Sequence, residues 1–224
     1  MNWHRDHRRP GGSYHHGNLK EALMQAALDL IARKGPAGFT FAEAARSAGV
    51  SPAAPYRHFR DREELLASIA QQGFEQFEAA LTAAWDDGRP DTPGAFQRVG
   101  KAYLAFAREQ PAYYSAMFES GLPLENNPAL LVASERAFAI LRAASERLIA
   151  LAPPGIPRPP ALMMALHIWS LSHGIASLFG RGDAASRRLP MSPEDLLEAG
   201  VLIYLKGLGF PTDQFAPAQP AAKK

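Results

Sequence analysis

The sequence predicts an all-α fold. Apolar residues recur at three- and four-residue spacing along most of the chain, as on one face of a helix. Proline and glycine interrupt these stretches where helices would end. No stretch of useful length alternates apolar and polar residues as a half-buried strand does. The chain has 224 residues, 47% of them hydrophobic and 21% charged, which is typical of a soluble globular protein.

The first helix is predicted from Leu19, because an apolar stripe runs from that residue to Ile31. Asn18 and Glu21 have the spacing of a capping box, and Gly35 ends the stripe.

A second, short helix is predicted after Thr40. Glu43 follows that threonine at the capping-box distance, and small alanines occupy the next turns. Gly49 is expected to stop the helix. A helix, a turn with glycine and another short helix form the pattern of a helix-turn-helix.

The third segment is SPAAPYRHF, residues 51–59, and it predicts a helix of about two turns despite two prolines. Ser51 is the expected cap. Pro52 then takes the first helical position, where a missing N–H costs nothing. Pro55 removes the first internal hydrogen bond, but its ring can fill an apolar site and stiffen the segment.

Longer helices separated by proline are predicted for the remainder. The first of them begins at Arg62 and fades near Asp86. The others are expected over approximately residues 93–110, 111–118, 128–151, 161–179 and 193–206. The linker 152–160 contains five prolines and is expected to be extended or turned.

Charge is distributed unevenly along the chain. Residues 1–62 contain ten Lys/Arg against five Asp/Glu, whereas residues 63–224 contain fourteen against seventeen. Four of the seven histidines lie within the first sixteen residues. A basic front segment favours an anionic partner, with nucleic acid as the leading candidate.

Several classes of protein are disfavoured. The absence of cysteine excludes disulfides, thiolate catalysis and cysteine-based zinc sites. No apolar run approaches the roughly 18 residues of a membrane span, and the polar N-terminus lacks the apolar stretch of a secretory signal. These features predict a cytoplasmic protein.

The stretch from Phe39 to Leu66 resembles the DNA-binding domain of the TetR family of bacterial regulators. The matching residues are Thr40, Ala44-Ala45, Gly49-Val50-Ser51, Tyr56-x-His58-Phe59 and Glu63-x-Leu65-Leu66. The family usually has lysine where this chain has Arg62.

The resemblance implies roles for individual residues. Backbone phosphates are expected to be contacted by Thr40, Tyr56, His58 and Arg62. Ser51, the expected cap of the recognition helix, is also a DNA-binding candidate. Base edges would be read by Pro52, Ala53 and Ala54. Arg57 is expected either to read guanine or to bind phosphate, and a purely structural role stays open.

The basic flexible arm, residues 1–17, adds further cations to this face. Its candidate DNA contacts, with one on the first helix, are Arg5, Arg8, Arg9, His15, His16 and Lys20. Contact with phosphates or the minor groove and general electrostatic attraction are both open. The adjacent histidines lack the i, i+4 spacing of helical metal ligands, and no metal or cofactor is expected.

The helical body, residues 67–210, resembles TetR-like effector-binding and dimerisation domains, with Trp169, His173 and Gly174 matching the class named for a Trp-His-Gly signature. The candidate pocket residues are Tyr103, Phe106, Tyr113, Tyr114, Met117, Phe118, Trp169 and His173. Such aromatic stripes also occur in ordinary cores. If they line a pocket, they favour an apolar or aromatic small molecule.

The resemblance also implies a homodimer built from the last two long helices. The candidate interface residues are Leu162, Ala165, Ala176, Leu197, Val201 and Tyr204. The predicted division is therefore an arm over 1–17, a helix-turn-helix domain over 18–66, the body over 67–210 and a frayed tail over 211–224.

The predicted function is a DNA-binding transcriptional regulator, a repressor released from a palindromic operator by a small molecule. The alternatives are an all-α enzyme and a helical interaction protein that does not bind DNA. The enzyme is disfavoured because the chain lacks G-x-S-x-G, H-E-x-x-H and glycine-rich phosphate-loop motifs.

Overall fold

The computed structural model describes residues 19–180 and 191–211. The arm, residues 181–190 and the tail beyond 211 lie outside the described residues. Within the described ranges the regular structure is entirely helical, as predicted. The eight α-helices are α1 Leu19–Lys34, α2 Phe41–Ser47, α3 Arg62–Trp85, α4 Thr92–Glu109, α5 Pro111–Phe118, α6 Pro128–Leu151, α7 Ala161–Gly180 and α8 Pro193–Gly207.

Short polar side chains set the beginnings of most helices. Thr40 and Glu43 form the predicted capping box: the Thr40 hydroxyl accepts from the Glu43 N–H, and the Glu43 carboxylate accepts from the Thr40 N–H. Asp61 caps α3 and Asn127 caps α6, each through a side-chain oxygen that accepts from a backbone N–H of the first turn. These side chains satisfy backbone donors that the first turn leaves unpaired.

Helix α3 is the central element of the fold. It packs against α4, α5 and α6 and also contacts α1. Leu65, Ile69 and Phe77 on this helix are buried. Because α3 is continuous through residue 66, the predicted domain boundary lies inside one rigid helix. The helix-turn-helix and the body are also joined where α5 packs on α1.

The segment after α2 differs from the prediction. Residues Ala54–Arg57 form a 3₁₀ helix rather than an α-helix of two turns. Ser51 does not cap it, since Ala53 is the N-cap and makes no side-chain cap bond. The reason is local: Pro55 has no N–H for an α-type bond to Ser51, and the Ala54 N–H takes the Ser51 carbonyl instead, at 3.0 Å.

Helix α7 also corrects an expectation. Its residues Ala161–Phe179 have a mean hydropathy of 1.3, so by length and composition this helix is apolar enough to span a membrane. The core helices of soluble proteins pass the same test, and one third of this stretch is buried within the protomer.

The predicted dimer residues fall into two groups. Four of them are buried within the single chain: Ala165, Ala176, Leu197 and Val201. Helices α7 and α8 pack on each other and on α4, and the burial of these four residues contradicts their assignment to a dimer interface. Leu162 is exposed, and Tyr204 is half-buried beside His167.

Candidate DNA interface and effector cavity

The recognition segment, residues 51–59, is an exposed turn with two buried anchors. Pro52 is the second residue of a turn closed by the Ala54 N–H, and Ala53 has φ −86° and ψ −18°, as the third residue of a type I turn requires. Pro55 and Phe59 are both buried. The Pro55 carbonyl accepts from the N–H groups of both His58 and Phe59, at 2.9 and 3.0 Å.

The side chains between these anchors face solvent. Tyr56 is 64% exposed, with its ring edge-on to Phe41 at 5.1 Å between centroids. Arg57 and His58 are also exposed. Lys20 from α1 lies over the Phe59 ring, with its ammonium 5.8 Å from the centroid. A surface of polar and cationic groups is thereby held on a rigid apolar base.

Thr40 lies beside this surface and is engaged by its own helix. Its hydroxyl accepts from the Glu43 N–H and donates to the Glu43 carboxylate at 3.0 Å. Lys34 also bonds that carboxylate, at 2.8 Å. The Lys34 ammonium, followed by the Thr40 N–H and hydroxyl, lowers the pKa of Glu43 to about 2. A phosphate contact by Thr40 stays a prediction.

Arg62 has an intramolecular role that the sequence did not indicate. Its Nε donates to the Phe39 carbonyl at 2.8 Å, and a terminal nitrogen donates to the Pro36 carbonyl. The guanidinium also lies over the Phe39 ring, 4.7 Å from the centroid. Arg62 therefore ties the loop between α1 and α2 to the start of α3. Its predicted contact with a phosphate stays untested.

Five candidate arm residues cannot be placed. Arg5, Arg8, Arg9, His15 and His16 lie outside the described residues, and Lys20 is the arm candidate whose position is known.

The body contains an apolar cavity of about 420 Å³. Helix α3 contributes Phe74, Phe77 and Leu81 to its wall. The other lining residues come from α4 to α7 and the loop before α6, and they are Val99, Gly100, Tyr103, Met117, Phe118, Ser120, Gly121, Leu122, Leu124, Ser134, Ala137, Phe138, Leu141, Leu166, Ile168, Trp169 and Ser172. This volume lies in the range of small-molecule sites.

A polar cluster lies behind the cavity wall. The hydroxyls of Tyr103 and Tyr114 are 2.9 and 2.8 Å from the same nitrogen, Nδ1 of His173. The His173 ring also packs on Phe118 and Trp169, with centroids 5.1 and 5.7 Å away. Burial lowers the pKa of His173, against a smaller opposing effect of the Glu119 carboxylate. Burial therefore favours the neutral imidazole.

Four of the eight predicted pocket residues line the cavity: Tyr103, Met117, Phe118 and Trp169. The other four do not line it. Tyr114 and His173 form the polar cluster behind the wall, Phe106 packs on Phe77 in the core, and the Tyr113 hydroxyl donates to Gln72 at 2.8 Å. These four side chains lie outside the cavity lining, because α4, α5 and α7 also have faces that pack on α3 or on another neighbouring helix.

The sequence reading missed the contributions of α3 and α6. In the sequence, Phe74, Phe77 and Leu81 form an apolar stripe on one helix, but a stripe that lines a cavity has the same spacing as one that fills a core. Ser134 and Phe138 on α6 carried no distinguishing signal. In residues 19–180 and 191–211, no group of three or more His, Asp or Glu side chains could hold a metal ion.

Two family models match this chain. Residues 23–69 match the model for bacterial regulatory proteins of the tetR family. Residues 96–204 match a tetracyclin repressor-like C-terminal domain. The two matches cover the recognition segment and most of the cavity wall.

Curated relatives align with about half of the chain. The HTH-type transcriptional regulator BetI of Rhizobium meliloti is 33% identical over 115 residues, which are 50% of this chain and 57% of the relative. The nucleoid occlusion factor SlmA of Vibrio cholerae is 27% identical over 110 residues, 49% of this chain and 56% of the relative. The chain thus spans just over half the length of the curated relatives that it matches.

Solved structures match over most of the chain. A protein of unknown function from a Rhodococcus species has a TM-score of 0.73 and 28% identity, over 88% of this chain and 98% of its own. The regulator PfmR of Thermus thermophilus has a TM-score of 0.65 and 23% identity, over 83% and 98%. The second likeness, at this identity, is one of fold.

Proposed function

The chain belongs to the TetR family of transcriptional regulators, and on that premise we propose that it is a homodimeric repressor that a small molecule releases from a palindromic operator. One observation carries the ligand-responsive part of the proposal. Helix α5 contributes Met117 and Phe118 to the cavity wall and also packs on α1 of the helix-turn-helix. A ligand that moves α5 therefore acts directly on the DNA-binding domain.

The DNA-binding part rests on the recognition segment. Pro55 and Phe59 fix the turn, so Tyr56, Arg57 and His58 are presented outward from a backbone that has little freedom to lose on docking. Within the described part of the chain, no ion pair involves Arg57. Its cation is thus available for a phosphate or for a guanine edge.

The dimer part rests on apolar exposure along α7 and α8. Leu162, Met163 and Leu178 on α7 and Ile203 on α8 are each about half exposed or more. Solvent does not favour such a surface on a monomer, whereas a second copy would cover it. We place the interface on these residues instead of the four buried ones. Paired heads could then engage successive major grooves, about 34–36 Å apart.

Release follows if the ligand changes the spacing or mobility of the two heads. The family consists of regulators, and the proposal accordingly assigns no catalytic activity to the cavity. It also places the protein in the cytoplasm, where its operator is.

Gel shifts with DNA from around the gene of this protein test the regulator. We expect salt-sensitive binding to a near-palindrome. Arg57→Ala should weaken binding about tenfold, since a base or phosphate contact contributes on the order of 1–3 kcal/mol. Arg142→Ala on α6 removes the same charge far from the segment and should leave binding unchanged. Absence of binding at low salt contradicts the proposal.

Light scattering tests the dimer. Ile203→Asp should give a monomer, because it places a carboxylate within the proposed interface. Val132→Asp, a matched change at an exposed apolar position of α6, should leave the dimer intact. A wild-type protein that is monomeric at micromolar concentration overturns the paired-head mechanism.

A further inference from the structure

Among residues 19–180 and 191–211, no charged side chain lines the cavity. The described lining contains no Asp, Glu, Lys, Arg or His. Burial lowers the pKa of the nearby His173 imidazole and raises the pKa of Tyr103, so burial favours the uncharged form of both groups. A charged ligand would lose its hydration here without gaining a counter-ion. Ligands of either charge are therefore disfavoured.

Four hydroxyl groups of the described residues line the wall, and two of them donate within their own helix. The Ser120 hydroxyl accepts from the Leu122 N–H at 3.4 Å. The Ser134 hydroxyl donates to the Leu131 carbonyl at 2.8 Å, and the Ser172 hydroxyl donates to the Ile168 carbonyl at 2.9 Å. Both acceptors belong to the same helix as the serine, so these bonds do not depend on a ligand.

The Tyr103 hydroxyl is different because its acceptor is shared. In the neutral tautomer with its proton on Nε2, His173 offers a single lone pair at Nδ1, and the hydroxyls of Tyr103 and Tyr114 both lie within hydrogen-bond distance of it. Only one of them can donate to that lone pair at a time. The other hydroxyl then needs a different acceptor. Tyr103 lines the cavity and Tyr114 does not, so Tyr103 holds the proton that can turn to a ligand.

On the premise that this cavity is the effector site of the proposed repressor, we propose that its ligand is an uncharged, mainly apolar molecule with one hydrogen-bond acceptor, such as a ketone or ester carbonyl. The carbonyl oxygen accepts from Tyr103, while Tyr114 keeps Nδ1 of His173. The ligand thus resolves the competition between the two tyrosines. It also engages α4 and, through Tyr114, the helix α5 that packs on α1.

The test compares three probes of related shape in equilibrium dialysis. Benzophenone carries the carbonyl, 1,1-diphenylethylene has a methylene group in place of that oxygen, and 4-benzoylbenzoate adds a negative charge. We expect the carboxylate to bind at least tenfold more weakly than benzophenone. The measured quantity is the Kd of the alkene divided by the Kd of the ketone. This ratio is compared between wild type and each variant, because the difference in hydration between the two probes is the same for every protein and cancels.

Tyr103→Phe should lower this ratio about 2- to 10-fold, as expected for one neutral hydrogen bond. Tyr114→Phe should lower it as well, because Tyr103 then has Nδ1 to itself and gives it up less readily. Tyr113→Phe is the matched control. It removes a hydroxyl on α5 that donates to Gln72 outside the cavity, and should leave the ratio unchanged.

Three results overturn the inference: no binding of benzophenone up to its solubility limit, a ratio that is the same in wild type, Tyr103→Phe and Tyr114→Phe, or binding of the carboxylate equal to that of benzophenone. Circular dichroism of each variant establishes that it is folded. Gel shifts without any probe separate the two proposals. DNA binding with an unchanged ratio refutes the ligand class alone, whereas the expected ratios without DNA binding refute the repressor alone.

Discussion

Replacing Arg62 with lysine distinguishes a phosphate contact from a structural one. Lysine preserves the positive charge at the start of α3, and it is the residue that the family usually has at this position. It cannot reproduce a planar guanidinium that donates to the carbonyls of Phe39 and Pro36 and stacks on the Phe39 ring. A structural role therefore predicts lower stability for Arg62→Lys, and a phosphate role alone predicts none.

The magnitude follows from the contacts. A hydrogen bond to a charged group contributes about 1.5–3 kcal/mol, and lysine can keep one of the two. We expect Arg62→Lys to cost about 2 kcal/mol, which lowers Tm by about 4–8 °C for a chain of this size. Arg62→Ala loses both bonds and should lower Tm further, together with DNA affinity.

Thermal unfolding followed by circular dichroism measures the effect. Arg60→Lys is the control, because the Arg60 side chain is 85% exposed and makes one ion pair, with Glu64 at 3.1 Å; it should shift Tm by about 1 °C or less. A wild-type Tm for Arg62→Lys refutes the structural role. If Arg62→Lys has the wild-type Tm and Arg62→Ala binds DNA more weakly, the role of Arg62 is a phosphate contact.

Three further outcomes are expected. Pro55→Ala should cost about 1.5 kcal/mol, as two buried CH₂ groups are lost, whereas Pro52→Ala in the same exposed turn should cost little; equal changes in Tm contradict the anchor role. Burial lowers the pKa of His173, so the contribution of this residue to stability is present above the unfolded-state pKa of about 6.5 and declines as the pH falls below that value. The fall in Tm between pH 7.5 and 5.5 should therefore be smaller in His173→Phe than in wild type. An identical fall in the two proteins contradicts this role. Gly73→Val should lower Tm, since a Cβ there lies 2.8 Å from the Met117 sulfur; an unchanged Tm shows that α3 and α5 separate easily.

Local chemistry in the sequence determined most of the fold. The capping box at Thr40 and Glu43 and the glycine that follows α2 are short-range signals, because a helix end is satisfied by residues within one turn. The proline-bounded helices α4 to α8 were predicted to within one or two residues for the same reason. The resemblance over Phe39–Leu66 likewise identified the family, as the matching family models confirm.

The tertiary structure decided what those residues do. Whether an apolar side chain lines a cavity, fills the core or faces a second copy depends on the helices packed against it, and one helix stripe has the same spacing in all three cases. Val201 was therefore misassigned to an interface, and Phe77 was not recognised as a cavity residue. The guanidinium of Arg62 and the imidazole of His173 take their partners from segments 23 and 59 or more residues away in the chain, a distance over which spacing carries no information.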